Sequence, residues 1–180
     1  ATHRCFGLFI LACGLMQGSH TVYYSFGTLH WRAAGVDDAV IGFLWAWGVI
    51  AEVVLFAVGA RATALFGPLG LIGLAAAGGL IRWIVLGATT ALPALVLAQT
   101  LHGLTFGAAH LGAMAFMARA APEGNAVTAQ TLYSSLAMGG AFAATLLWVG
   151  PVYAAIGADA YFLMAGLSIA GGLSVALLAR

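Results

Sequence analysis

The stretch Arg32-Ala33-Ala34-Gly35-Val36-Asp37-Asp38-Ala39-Val40 has an echo in Arg119-Ala120-Ala121-Pro122-Glu123-Gly124-Asn125-Ala126-Val127. Arg-Ala-Ala opens both, Ala-Val closes both, and each lies in a short polar gap between long apolar runs. A fainter pair follows: Ala60 to Gly67 closes the next apolar run of the first half, and Gly150 to Gly157 closes its counterpart. Matching gaps at matching places imply a chain that repeats itself, three apolar runs to a repeat. Two copies with an odd number of membrane crossings each must enter the bilayer with opposite orientation. That is the sequence pattern of inverted-repeat transport folds.

Composition agrees. Charged residues are 6% of the chain and apolar ones 63%, with a mean hydropathy of +1.06. A water-soluble domain carries about a quarter charged residues, so lipid is the expected solvent and partner. The net charge of +1 excludes the basic surface that nucleic acid requires. Every basic residue is arginine. Cys5 and Cys13 share the first apolar run, too close along one helix to bridge, and read as free thiols packed like small apolar groups. No cleavable leader is expected ahead of the first run. The chain opens on Ala1 and stops at Arg180 straight after an apolar run, as a fragment of a longer polypeptide would.

A membrane-spanning helix needs about 20 mostly apolar residues. Six stretches qualify: 5–30, 39–60, 68–87, 92–117, 127–149 and 159–179. The expected fold is therefore an all-α membrane protein, one domain over 1–180, built as two inverted three-helix repeats of about 5–87 and 92–179. With the N-terminus in the cytoplasm, Arg4, Arg61, Arg119 and Arg180 fall inside, against Arg32 and Arg82 outside. The positive-inside rule then places both termini in the cytoplasm. Trp31, Trp83 and Trp148 read as anchors in an outer aromatic belt, and His3 and His30 as interfacial. Glycines inside the spans permit close helix approach; Gly18 and Gly27 could also let the first span bend.

Ionisable groups inside a membrane helix are costly and mark functional candidates. Gln17, His20 and Tyr24 follow i, i+3, i+7 spacing on one face of the first span. Gln99, His102, Phe106 and His110 form a matching stripe on the fourth. Two polar stripes on equivalent helices point to a shared, water-accessible cavity for solute and proton, lined by Gln17, His20, Tyr24, Gln99, His102 and His110. Histidine suits it, since its proton affinity lies near physiological pH and both ring nitrogens hydrogen-bond. Glu52, about 12 Å from the cytoplasmic end of the second span, is the one acid well inside a span. A lone carboxylate there is a proton site, a gating contact or a structural hydrogen bond. Arg82 lies about 9 Å higher by the same rise, so a direct pair with Glu52 is not expected. Arg82 instead reads as snorkelling toward headgroups or toward Asp37 and Asp38.

At these residues a resemblance emerges. Gln17-Gly18-Ser19-His20-Thr21-Val22-Tyr23-Tyr24, Ile41-Gly42-Phe43-Leu44-Trp45-Ala46 and Ala51-Glu52-Val53-Val54-Leu55-Phe56 resemble the phenylpropionate-permease and nucleoside–proton-symporter-like branch of the major facilitator superfamily. Leu101-His102-Gly103-Leu104-Thr105-Phe106-Gly107-Ala108-Ala109-His110 and Ala129-Gln130-Thr131-Leu132-Tyr133-Ser134-Ser135 look like the carboxyl-terminal six-helix half of such transporters. The resemblance implies that Gln17, His20, Tyr24, Gln99 and His102 face the substrate. It also implies a cytoplasmic gating loop at Ala60 to Gly67, where Arg61 and Gly67 are retained and the family's aspartate is missing.

The expectation is thus half of a secondary active transporter in a bacterial inner membrane, carrying a small organic solute, coupled to protons, by alternating access. Its counterpart is a missing amino-terminal six-helix half or a second copy of this chain. The competing reading is a six-span accessory or assembly subunit of a larger membrane complex that retains the half-transporter fold. An enzyme is disfavoured: Ser19, Ser134 and Ser135 lack the flanks of an intramembrane nucleophile. No metal cluster is in sight, and no cofactor is expected; haem between His20 and His102 is conceivable but nothing calls for it.

Overall fold

Without water to satisfy backbone groups, a chain this apolar must close its hydrogen bonds within helices. The computed structural model, which describes residues 2–120 and 125–180, is helical along nearly all of that length. The interfacial role expected of the His3 side chain lies outside the described residues, as does the part of the second echo at residues 121–124. In order come α1 (Thr2–Gly18), α2 (Thr21–Ala33), α3 (Asp38–Ala57), α4 (Gly59–Ala88), α5 (Leu92–Thr100) and a π-helical turn Gly103–Ala108. Then follow α6 (Ala109–Ala120), α7 (Ala126–Leu132), a second π-helical segment Tyr133–Gly140, α8 (Ala141–Ile156), a 3₁₀ turn Gly157–Asp159 and α9 (Ala160–Leu178). Both copies of the echo lie where one helix ends and the next begins: Ala33 closes α2 and Asp38 opens α3, Ala120 closes α6 and Ala126 opens α7. Asp37 caps α3 by accepting from the Ala39 N–H at 2.8 Å.

Among the described residues, five runs are long and apolar enough to cross a membrane: Arg4–Ala33, Asp38–Ala57, Gly59–Ala88, Leu92–Ala120 and Ala126–Leu178. This differs from the six separate stretches expected. The gap assigned to Gly150–Ala158 stays helical through Pro151, and the break comes later, at Gly157 with φ +56°. The last run has 53 residues, about 80 Å of helix, far more than one bilayer core of about 30 Å. Its contacts reverse at Gly157. Ala141 and Thr145 face Gly14 and Gly18, and Tyr153 stacks on Phe26 at 4.2 Å, so α8 ascends beside the first span. Tyr161 then meets Gly27, and Gly171 meets Ala12 and Met16, so α9 descends beside it.

Two further expectations need correction. The segment Ala60–Gly67 is not a loop: Gly59 to Phe66 is helical, as its alanines and leucine favour. The backbone breaks only at Gly67, at φ 67° and ψ 173°, a region open to glycine alone, with Pro68 starting the next helix. Arg61 is therefore an exposed residue of a short helix. The tryptophans diverge as well. Trp31 and Trp83 are completely buried, because each packs its ring among core aromatics, and of the three expected anchors only Trp148 is exposed.

The apolar interior is in two parts. One gathers Phe9, Met16, Leu71, Ile72, Met117 and Tyr133; the other gathers Tyr23, Trp31, Leu44, Trp83, Leu95 and Tyr161. Between these two clusters lie the buried polar residues Ser19, His20 and Thr21 of the first span, Arg82 of the third, and Gln99, His102 and Thr105 of the fourth.

Candidate functional site

The polar layer is centred on Arg82, whose side chain is fully buried. This overturns the outward, snorkelling placement. Arg82 lies toward the C-terminal end of α4 (Gly59–Ala88), yet its guanidinium finds acceptors and aromatic faces inside the bundle. Nη1 donates to His102 Nδ1 at 2.8 Å and to Thr105 Oγ1 at 3.1 Å. Nη2 donates to Gln99 Oε1 at 3.0 Å, and the cation lies 4.2 Å from the Tyr23 ring centre.

Hydrogen-bond bookkeeping settles the orientation of every partner. Arginine has no acceptor, so His102 Nδ1 must be bare and its hydrogen must sit on Nε2. That nitrogen is 2.7 Å from Glu52 Oε1. The contact is thus an N–H donated by a neutral imidazole to the carboxylate, and the two full charges are joined through the ring rather than directly. The Gln99 amide is equally constrained. Oε1 faces Arg82, while Nε2 donates to Tyr23 Oη at 2.9 Å and to the Leu44 carbonyl at 2.8 Å.

His20 approaches from the first span, where the helix is interrupted. Ser19 Oγ donates to the Met16 carbonyl at 2.6 Å, Thr21 Oγ1 to the Gly18 carbonyl at 2.7 Å, and His20 Nδ1 to the Met16 carbonyl at 2.9 Å. Side chains that take backbone acceptors loosen the regular ladder, and α1 ends at Gly18. The other ring nitrogen, Nε2, is 3.2 Å from Thr105 Oγ1. Trp83 Nε1 braces this step by donating to Ser19 at 3.2 Å and to Ser168 at 3.0 Å.

The structure brings His20 and His102 together, with ring centres 5.8 Å apart. It does not open them to a cleft: they are 2% and 5% exposed. Gln99 is fully buried and its amide is fully engaged, so it holds Arg82 rather than presenting itself to a solute. The network meets the surface at Tyr24, 39% exposed, and at the Glu52 side chain, 16% exposed. Phe106 stacks on His102 at 5.8 Å and Phe142 lies 6.2 Å from Tyr24, so aromatic rings flank His102 and Tyr24. Gln17 and His110 line a separate water-sized cavity of about 10 Å³ with Thr105 and Tyr133, and His110 Nδ1 points into buried space unbonded. Arg61 and Gly67 take no part in these bonds.

Sequence reading missed Arg82 as a centre, and Thr105 and Trp83 as members. The signal for Arg82 was available: an arginine in the interior of a span faces the bundle by default. Thr105, three residues after His102, sits on the same helical face, though a lone threonine carries no mark of its own.

Burial predicts reactivity. In a protein stripped of Cys5 and Cys13, a cysteine at Tyr24 should react with a small water-soluble thiol reagent, and one at His20 should not. Equal labelling of both, or an inert Tyr24→Cys, would contradict this difference in exposure.

The MFS_1 like family model matches residues 2–164. The chain is 38% identical over 156 residues to the probable 3-phenylpropionic acid transporter of Escherichia coli (strain K12). That match covers 86% of this chain and 41% of the relative, so the chain spans about half the length of the curated relative it matches. No solved structure matches it.

Proposed function

Since the chain belongs to the MFS_1 like family, we propose that it is one six-helix half of a proton-coupled secondary transporter for a small aromatic monocarboxylate. Family membership and a relative named as a transporter set it with transporters rather than enzymes. The chain is an integral membrane protein. The partner half is further sequence of the natural polypeptide or a second copy, and together they work by alternating access.

Packing supports six crossings in two inverted repeats. The first span lies against α8 and α9 as the fourth lies against the second and third, and the third lies against α9. Glycine pairs repeat the relation: Gly14 and Gly18 face Ala141 and Thr145, while Gly103 and Gly107 face Ala51 and Leu55. An added Cβ would come within 2.6 Å of Thr145 at Gly18 and 2.7 Å of the Ala51 carbonyl at Gly103, so both pairs depend on missing side chains. For orientation, burial removes Arg82 from the count of exposed arginines. Arg4, Arg61, Arg119 and Arg180 then stand against Arg32 alone, which favours cytoplasmic termini in a bacterial inner membrane.

The observation that carries the function is the Arg82–His102–Glu52 chain. With Glu52 ionised, its buried charges cancel. A proton on Glu52 leaves the Arg82 cation unbalanced, and a carboxylate arriving between the aromatic rings of Tyr24, Phe106 and Phe142 restores the balance. One proton and one monoanion therefore enter together, and the step carries no net charge. Burial of an unbalanced ion costs several kcal/mol, which makes either partner alone a poor passenger.

The test uses the natural polypeptide in sealed vesicles with labelled 3-phenylpropionate. An inward proton gradient should drive accumulation above equilibrium, an imposed voltage should not, and a protonophore should collapse it. Absence of uptake for aromatic monocarboxylates, with the chain retained in a complex of other membrane proteins, would favour the accessory-subunit reading.

A further inference from the structure

Thr105 Oγ1 has three partners and one hydrogen. Arg82 Nη1 lies 3.1 Å away, His20 Nε2 3.2 Å and the His102 carbonyl oxygen 3.3 Å. Arginine can only donate, a carbonyl can only accept, and a hydroxyl offers one hydrogen and two lone pairs. Two assignments satisfy those limits. In one, the hydroxyl donates to the His102 carbonyl and accepts from both Arg82 and His20. His20 Nε2 then carries a hydrogen, and because Nδ1 already donates to the Met16 carbonyl, the ring is an imidazolium. In the other, the hydroxyl rotates its hydrogen onto His20 Nε2 and the ring is neutral, with its hydrogen on Nδ1. The Arg82 bond survives both.

We infer that Thr105 is the positioning residue that lets His20 pass between its neutral and protonated forms beside the Arg82–His102–Glu52 chain, its hydroxyl rotor following the charge on that ring. This rests on the proton-coupled reading for its purpose, and on hydrogen-bond geometry alone for its existence. Thr105 is 3% exposed, and the water-sized cavity it shares with Gln17 and His110 is lined by neither His20 nor Arg82. The groups around His20 are Arg82 from α4, His102 and His110 from the fourth span, Tyr24 from α2 at 5.8 Å, Tyr133 beside the small cavity, and Glu52 through His102. Among the described residues, only Thr105 offers His20 Nε2 a hydrogen-bond partner.

The test is ¹⁵N magnetic resonance of imidazole-labelled natural polypeptide in lipid across pH, with the His20 signals assigned by their loss in His20→Gln. Such spectra separate the two neutral tautomers from the imidazolium and need no substrate, so the result stands apart from any outcome of the uptake experiment. In the wild type, His20 should pass from the Nδ1–H form to the imidazolium as pH falls. In Thr105→Val, which keeps shape without a hydroxyl, it should keep the neutral signature at pH values where the wild type has converted. Thr105→Ser should restore the wild-type course, and Thr105→Ala serves if the valine variant fails to fold. A His20 that titrates identically without the hydroxyl overturns the inference, as does one that stays neutral in the wild type wherever the protein remains folded.

Discussion

Replacing Arg82 with methionine is expected to destabilise the folded protein by about 3–5 kcal/mol, the usual cost of removing one partner from a buried charged network. Methionine fills much of the same volume, so packing loss is a small part of this. The larger part is electrostatic. His102 Nδ1 and Gln99 Oε1 lose their donors, and Glu52 is left as an unbalanced charge at the edge of the bundle. Equilibrium unfolding in detergent measures the effect. The double variant Arg82→Met with Glu52→Gln is the informative companion, because it removes both charges and should recover a substantial part of the loss. Single and double variants with equal stability would show that Arg82 and Glu52 are not energetically joined through His102. An Arg82→Met protein as stable as wild type would show that the guanidinium is not held inside at all.

Glu52→Gln should abolish uphill accumulation in the natural transporter while leaving downhill exchange measurable. Glutamine keeps an oxygen to accept from His102 Nε2, so the hydrogen bond at 2.7 Å has a replacement. It cannot change charge, so no proton can be loaded or released there. The site of such a variant carries the Arg82 cation permanently and binds a carboxylate without waiting for a proton. Accumulation ratios under a proton gradient should fall to one, while exchange of external for internal label continues. A purely structural Glu52 gives a different outcome: lower yield or stability, with coupling intact in whatever protein survives. Proton-driven uptake that is unimpaired in a well-expressed Glu52→Gln protein would move the coupling proton to His20 or His102.

Part of the polar layer was legible beforehand because helical spacing is a property of sequence. Gln99 and His102 stand three apart, as do Gln17 and His20, and any α-helix puts such residues on one face. What helical spacing cannot say is which group on another helix meets that face. Arg82 was assigned to the membrane surface because its distance was judged along a single axis from the end of its own span. The structure turns its side chain inward, where Gln99, His102 and Thr105 supply acceptors. Gln99 shows the same limit from the other side. It belongs to the polar stripe as expected, yet its amide is consumed by Arg82, Tyr23 and the Leu44 carbonyl, so it supports the site rather than facing a solute.

Composition and hydropathy by themselves determined that this chain is an all-helical membrane protein, since a backbone without water has helices as its simplest closed solution and apolar run length is counted directly. They also located the helix ends to within a few residues at the gap Arg32–Asp38, but not at Arg61–Gly67, which is helical from Gly59 to Phe66. Where the gap was apolar they failed, at Gly150–Gly157, because a helix continues until some backbone conformation forbids it, and that conformation appears at Gly157. Only the tertiary structure decided that Arg82, His102 and Glu52, from three different spans, form one bonded chain. Such a pairing depends on the rotation of each helix about its axis, which is set by packing against its neighbours and is not written in the order of residues along any one of them.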